Sequence, residues 1–191
     1  MILYKKLTKS YVKKQMSKER FDHTLQVIEN AIKLTELYKE NVNDTETAAL
    51  LHDLTREWDF SKVFNYIKLH NINITDEKRD NPILLHGLVA SIVTKEEFGI
   101  NNINVINSIK NHTLGSKNMS QLEKIIFLSD FLASKTGTSI YVQVFDTAKN
   151  SLDEAVLLVY ELTYGYLRKD GVPIAKELME NWEAAKLSAI E

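Results

Sequence analysis

Ala48-Ala49-Leu50-Leu51-His52-Asp53-Leu54 sets an imidazole and a carboxylate side by side in an otherwise apolar run. Burying both without partners carries a large desolvation cost. That cost is relieved if they pair, bond to a buried group or bind a metal. The rest of the chain supplies partners in order: His23 ahead of the dipeptide, then His86, His112 and Asp130 after it. Four of the five histidines fall in this series, and only His70 stands outside it.

The segments around these residues read as helices. From Glu19 onward, Phe21, Leu25, Ile28, Ile32, Leu34 and Leu37 recur at helical spacing and predict one buried stripe, with His23 near its edge. Asn41-Val42-Asn43-Asp44 breaks that helix, and Asp44 is the expected N-cap of the next. This next helix is expected to carry His52-Asp53 and to run to about Glu57. Asp59 opens a helix from Phe60 to His70, and Asn71 to Asn81 reads as a polar loop. Asn81-Pro82 starts an apolar core helix bearing His86, which Phe98-Gly99 closes. Asn102 to Lys110 is a shorter helix ending before His112. Ser120-Gln121-Leu122-Glu123 is a capping box opening an apolar run that contains Asp130. Ser134 to Thr138 is a loop and Tyr141 to Lys149 is helical. A second capping box, Ser151-Leu152-Asp153-Glu154, begins a helix to about Arg168. A last amphipathic helix carries Leu178, Trp182 and Leu187. Together with a short helix within the first 18 residues, the expectation is an all-α bundle of about eight or nine helices.

Composition agrees. The 191 residues are 44% hydrophobic and 26% charged, which marks a globular chain long enough for one sizeable core. Two prolines and six glycines are too few for a strand-rich fold with many tight turns. The net charge of −2 lacks the broad basic field of a nucleic-acid binder, so no nucleic-acid partner is expected. With no cysteine, thiolate ligands and disulfides are excluded. Met1-Ile2-Leu3-Tyr4-Lys5-Lys6 is too short in apolar content for a signal peptide. No stretch approaches the ~20 apolar residues of a membrane span, so the expected location is the cytoplasm.

Adjacent residues on a helix project about 100° apart, so both members of the pair can reach one cleft. Imidazole and carboxylate ligands suit hard or borderline divalent metals, and two metals need a bridging group. A carboxylate has two oxygens and can bridge. Asp53 is therefore the natural bridge, with His23, His52 and Asp130 around one metal and His86 and His112 around the other. A lone histidine on an apolar face is more often a hydrogen-bonded core residue than a ligand. It is the co-occurrence of the six residues that points to a centre. His70, at a helix C-terminus where a cation is favoured, reads as structural.

Five motifs carry a resemblance. They are Arg20-Phe21-Asp22-His23-Thr24, Leu50-Leu51-His52-Asp53, Leu85-His86-Gly87, His112-Thr113-Leu114-Gly115 and Met119-Ser120-Gln121-Leu122-Glu123-Lys124-Ile125-Ile126-Phe127-Leu128-Ser129-Asp130. In this order they resemble the HD-domain superfamily of metal phosphohydrolases, and within it the YqeK family over about residues 18–170. That bacterial family cleaves diadenosine tetraphosphate symmetrically to two ADP. The length and the lack of any linker predict a single domain over residues 1–191. Its HD core would span about residues 18–135, with helices over about 140–190 packed on it. The resemblance implies two divalent metal ions, usually assigned as iron, held by His23, His52, Asp53, His86, His112 and Asp130. It also implies a nucleotide substrate, and it is compatible with a homodimer.

Catalytic roles are expected for Asp53, His52 and Arg56, and substrate contacts for Arg20, Arg56, Lys135, His86 and His112. The expected chemistry is attack by a hydroxide held between the metals on a phosphorus of the polyphosphate. The sequence departs from the family at two places. Phe131-Leu132-Ala133-Ser134-Lys135-Thr136-Gly137-Thr138 replaces a stretch of the form Ile-Glu-Pro-x-Arg, so Lys135 is the candidate for the basic role. Arg56 stands where lysine is common, and its guanidinium can grip phosphate in a fork. The competing readings are a nucleotide-binding regulatory module without turnover, a phosphohydrolase of another nucleotide, and a two-iron oxygenase.

Overall fold

Side-chain caps set most of the element boundaries in the computed structural model, which describes residues 5–188. In order the helices are α1 (Lys9–Lys13), α2 (Lys18–Tyr38), α3 (Val42–Leu51), α4 (Phe60–Leu69), α5 (Asp76–Asp80), α6 (His86–Phe98), α7 (Ile103–Asn111), α8 (Gln121–Ala133), α9 (Ser139–Asn150), α10 (Leu152–Lys169) and α11 (Lys176–Ser188). A 3-10 turn, Pro82–Leu85, leads directly into α6. Among the described residues there is no strand, so the fold is all-helical, with eleven α-helices where about eight or nine were expected. Met1 to Tyr4, part of the segment read for a targeting signal, lie outside the described residues. No described helix is long and apolar enough to cross a membrane.

α2 packs along α3 and α8, and α7 lies against α3, α6 and α8. α10 covers α8 and α9, and α11 rests on α10. The centre of this arrangement is filled by Val27, Ala31, Leu34, Leu51, Leu85, Ile109, Ile125, Ile126 and Leu128, all fully buried. On α2 the buried stripe runs through Phe21, Thr24, Val27, Ile28, Ala31 and Leu34, while Leu25 and Leu37 face out. The stripe turns toward α3 and α8, and this rotation leaves those two leucines on the outer side. Leu187 of α11 is likewise exposed.

Several expected ends move by a turn, each for a local reason. Asn41, not Asp44, caps α3, because its side-chain oxygen accepts from the Asp44 N–H at 3.0 Å. Asp44 then sits in the first turn, where a carboxylate favours the helix dipole. α3 stops at Leu51 rather than continuing to Glu57. Beyond it the backbone tightens into successive turns, with Leu54 N–H on the Leu51 carbonyl and Arg56 N–H on the Asp53 carbonyl. Asn71 to Asn81 is not all loop, since Thr75 caps the short α5 within it. Ser120 and Glu123 form both halves of their capping box. Ser151 makes only one half, because its own N–H is already held by the Thr147 carbonyl at the end of α9.

Gly87, in the first turn of α6, lies at a close approach of α6 to α7. A Cβ there would lie 2.9 Å from the carbonyl oxygens of both Ile109 and Lys110 and 3.2 Å from His112 Nδ1. Both contacts are backbone and cannot swing away. Gly87→Ala is therefore expected to lower stability by ~1–3 kcal/mol, as other overpacking changes do. A urea midpoint equal to that of the parent chain would contradict this close approach.

Candidate metal centre

Three histidines reach the site by the same local device. His52 ends α3, His112 ends α7, and His86 joins the 3-10 turn to α6. In each, Nδ1 lies close to a carbonyl three residues back: Ala49 at 2.7 Å, Ile109 at 2.8 Å and Ile83 at 2.6 Å. A carbonyl can only accept, so Nδ1 carries a proton in each and donates it. The rings are thereby fixed, with Nε2 turned inward. The bond to Ala49 takes up the carbonyl that a continuing helix would give to the Asp53 N–H, which accounts for the early end of α3.

The Nε2 atoms converge on Asp53, whose side chain is 3% exposed and therefore cut off from bulk water. Its oxygens divide the surroundings. Oδ1 lies 3.2 Å from His86 Nε2 and 3.6 Å from His112 Nε2. Oδ2 lies 3.3 Å from His52 Nε2 and 3.9 Å from His23 Nε2, and it accepts from Arg20 Nη1 at 2.8 Å. Asp130 Oδ1 approaches from α8, 2.9 Å from His23 Nε2 and 3.6 Å from His52 Nε2. Two sets of donor atoms result, His23-His52-Asp53-Asp130 and Asp53-His86-His112, each lying within 4.8 Å of one another. The two sets share Asp53.

Electrostatics bind these groups into one unit. Burial alone pulls the His52 imidazolium down, but the Asp53 and Asp130 carboxylates outweigh it and raise its pKa to about 10. Burial works against the charged form of Asp53, yet the surrounding imidazoles hold it well below the usual carboxylate range. Asp130 behaves in the same way under His23 and His52. His86 is pushed the other way, lowered by its burial and by the neighbouring His112 against the pull of Asp53.

Two features show what the pocket is suited to hold. His52 Nε2 is buried with no hydrogen-bond partner. His86 Nε2 and His112 Nε2 face each other at 2.9 Å, and both rings already donate through Nδ1. Facing lone pairs repel unless a cation lies between them. An all-nitrogen and oxygen donor set of imidazoles and carboxylates is compatible with divalent-metal binding and excludes a thiolate-type site.

A cavity of about 280 Å³ opens onto these groups. Its polar lining is Arg20, Arg56 and Thr113 with His23, His86, His112, Asp53 and Asp130. Its apolar wall is formed by Phe127, Phe131, Val159 and Leu178, and Ser134 and Thr163 also line it. Of the residues singled out in the sequence, His23, His52, Asp53, His86, His112 and Asp130 meet here, and Arg20 and Arg56 line the same cavity. Lys135 does not join the wall. Its ammonium lies 4.4 Å from the centroid of the Tyr166 ring. His70 stands apart, with Nδ1 3.2 Å from Glu96 Oε1. Thr113 was missed as a site residue, although its Oγ1 is 3.3 Å from His86 Nε2 and 3.2 Å from His112 Nε2. Its place directly after His112 was the available signal. The contributions of α10 and α11 to the apolar wall carried none.

An HD domain family model matches residues 20–135, the span that holds all six converging residues. The chain belongs to the HD domain family. A relative from Halalkalibacterium halodurans, named symmetrical bis(5'-nucleosyl)-tetraphosphatase, is 31% identical over 171 residues, covering 90% of this chain and 91% of its own. One of the same name from Staphylococcus aureus is 28% identical over 174 residues, covering 90% and 89%. A crystal structure from Clostridium acetobutylicum superposes with a TM-score of 0.89 at 27% identity, covering 94% of this chain and 95% of that one. It is described as a predicted HD superfamily hydrolase involved in NAD metabolism. The likeness to this structure thus reaches past the HD match into the C-terminal helices.

A proton on His52 competes with a metal for Nε2. Because the carboxylates raise that pKa to about 10, Mn²⁺ affinity is expected to climb as pH rises from 6 toward that value, with protons released on binding. Calorimetric titrations in buffers of different ionisation enthalpy measure the release. An apparent enthalpy independent of buffer would contradict it.

Proposed function

We propose that this protein hydrolyses dinucleoside tetraphosphates, with diadenosine tetraphosphate cut symmetrically to two ADP. The observation that carries the reading is the division of the two Asp53 oxygens between two donor sets at the floor of a cavity flanked by two arginines. In this reading His23, His52, Asp53 and Asp130 hold one divalent ion, and Asp53, His86 and His112 the other, with iron the expected metal. Ions so bound lower the pKa of a water and neutralise charge on phosphoryl oxygens. The names of the H. halodurans and S. aureus relatives, which match along nearly their whole length, support the same substrate class.

The chain's own groups have separate tasks. Asp53 supplies one oxygen to each donor set and fixes their spacing. Arg20 orients Asp53 through Nη1 and lines the cavity beside it. Arg56 binds phosphate by charge-assisted hydrogen bonds. Phe127, Phe131 and Val159 offer a nucleoside an apolar face and keep water from the reacting phosphate. At about 280 Å³ the cavity takes a diphosphate and part of one nucleoside, leaving the rest of the substrate in its open mouth. A second reading, nucleotide binding without turnover, draws on one observation. The turn after Asp130 gives Ser134 to the wall but no cation.

Product analysis with diadenosine tetraphosphate and Mn²⁺ or Fe²⁺, under anaerobic conditions, separates these readings. ADP as sole product supports hydrolysis, ATP plus AMP contradicts the symmetrical cut, and no product favours the binding module. Asp53→Ala is expected to lower kcat/KM by about 10³-fold or more, since it removes a group from both donor sets. Arg56→Ala is expected to raise KM about tenfold, the scale of one charge-assisted hydrogen bond. Full activity in Asp53→Ala would end the scheme.

A further inference from the structure

The turn after α7 is held from outside the HD match. Leu114 offers its carbonyl to two donors on the C-terminal helices, Tyr160 Oη of α10 at 3.1 Å and Asn181 Nδ2 of α11 at 3.0 Å. Asn181 Nδ2 also lies 3.1 Å from the Gly115 carbonyl. Both side chains are almost fully buried, Tyr160 at 1% and Asn181 at 4% exposure, so these bonds have no competition from water. Gly115 has φ +69°, and a Cβ on it would fall on the Tyr160 hydroxyl. The glycine is thus required twice, by its backbone conformation and by the approach of the clamp. The neighbouring positions on each helix reach the cavity itself: Val159 and Thr163 flank Tyr160, and Leu178 precedes Asn181 by one turn.

The clamped turn begins with His112 and Thr113. Thr113 Oγ1 is 3.2–3.3 Å from both facing Nε2 atoms of the His86–His112 half. We infer that Tyr160 and Asn181 are positioning residues for that half of the centre. By gripping the Leu114 and Gly115 carbonyls they set where His112 and Thr113 stand against His86. The helices beyond residue 135 therefore tune the affinity of one metal position rather than merely covering the bundle. The inference rests on the metal-centre reading and deepens it. It predicts asymmetry, since the side-chain hydrogen bonds of Tyr160 and Asn181 among the described residues go to the turn after His112 and not to His23, His52 or Asp130.

The test is Co²⁺ titration of the full chain, followed by its visible absorption. The bands lost in His112→Ala identify the equivalent bound by the His86–His112 half. Asn181→Asp keeps the shape of the side chain but replaces both N–H donors with an oxygen facing two carbonyls. It is expected to weaken that equivalent about tenfold or more, the usual cost of losing a group that orients a ligand, and to leave the other unchanged. Tyr160→Phe removes one of the two grips and moves the same equivalent in the same direction by less. If Asn181→Asp does not fold, Tyr160→Phe carries the test. Val156→Ala, a core truncation one turn before Tyr160, lowers the unfolding midpoint without altering either equivalent. Wild-type affinity and bands at both positions in Asn181→Asp and Tyr160→Phe would overturn the inference. So would equal weakening of both positions, matched by Val156→Ala. Uptake of no cobalt by the parent chain would overturn the metal-centre reading itself.

Discussion

A carboxylate 3% exposed, with four imidazole nitrogens within 3.9 Å and a guanidinium at 2.8 Å, is the constraint on which this structure depends. Asp53 cannot sit there uncompensated, because a buried, unpaired charge costs several kcal/mol or more. α2 contributes Arg20 and His23 to the surrounding centre, and α3, α6, α7 and α8 contribute one group each, through a residue in the helix or at its end. The bundle is thus organised radially, with apolar packing holding the helices and a polar centre fixing which of their ends meet. Removing the central anion would leave the imidazoles and an arginine with Asp130 as the remaining carboxylate at the centre.

The histidines owe their aim to helix ends. A helix leaves its last carbonyls without intrahelical partners, and an imidazole at or near the end can donate back to one of them. His52 and His112 use this at the C-termini of α3 and α7, and His86 uses it at the join between the 3-10 turn and α6. The same bond satisfies the backbone, fixes the tautomer and points the second nitrogen into the site. Sequence, local structure and chemistry meet in that one contact. Gly87 then lets the backbones carrying His86 and His112 come close enough for the rings to share a centre, and Gly115 lets the Tyr160 hydroxyl reach the turn after His112.

Much of this was legible in the chain. The Ser120–Glu123 capping box, the Gly99 terminus and the apolar runs around His86 and Asp130 are local signals, and local chemistry decided them. Ordering His23, His52-Asp53, His86, His112 and Asp130 into one constellation was possible because buried polar residues in apolar helices need partners. Other features lay out of reach. That α3 stops at Leu51 depends on a side-chain bond to Ala49, which helical periodicity does not encode. The exposure of Leu25 and Leu37 follows from the rotation of α2 on α3 and α8. Nearness to Asp130 in sequence singles out Lys135, whose ammonium lies over the Tyr166 and Phe131 rings and which is not among the residues lining the cavity. The apolar wall from α10 and α11, and the grip of Tyr160 and Asn181 on the turn after His112, join residues 46 to 67 positions apart, beyond any local pattern.

The central claim is that Asp53 serves two metal positions at once. Elemental analysis of anaerobically purified protein tests it most directly. The account predicts about two divalent metal ions per chain, one for each of the donor sets that share Asp53. A preparation that is folded but holds no metal, and takes up none on reconstitution, would contradict it and leave the histidines as core residues satisfied by their carboxylates.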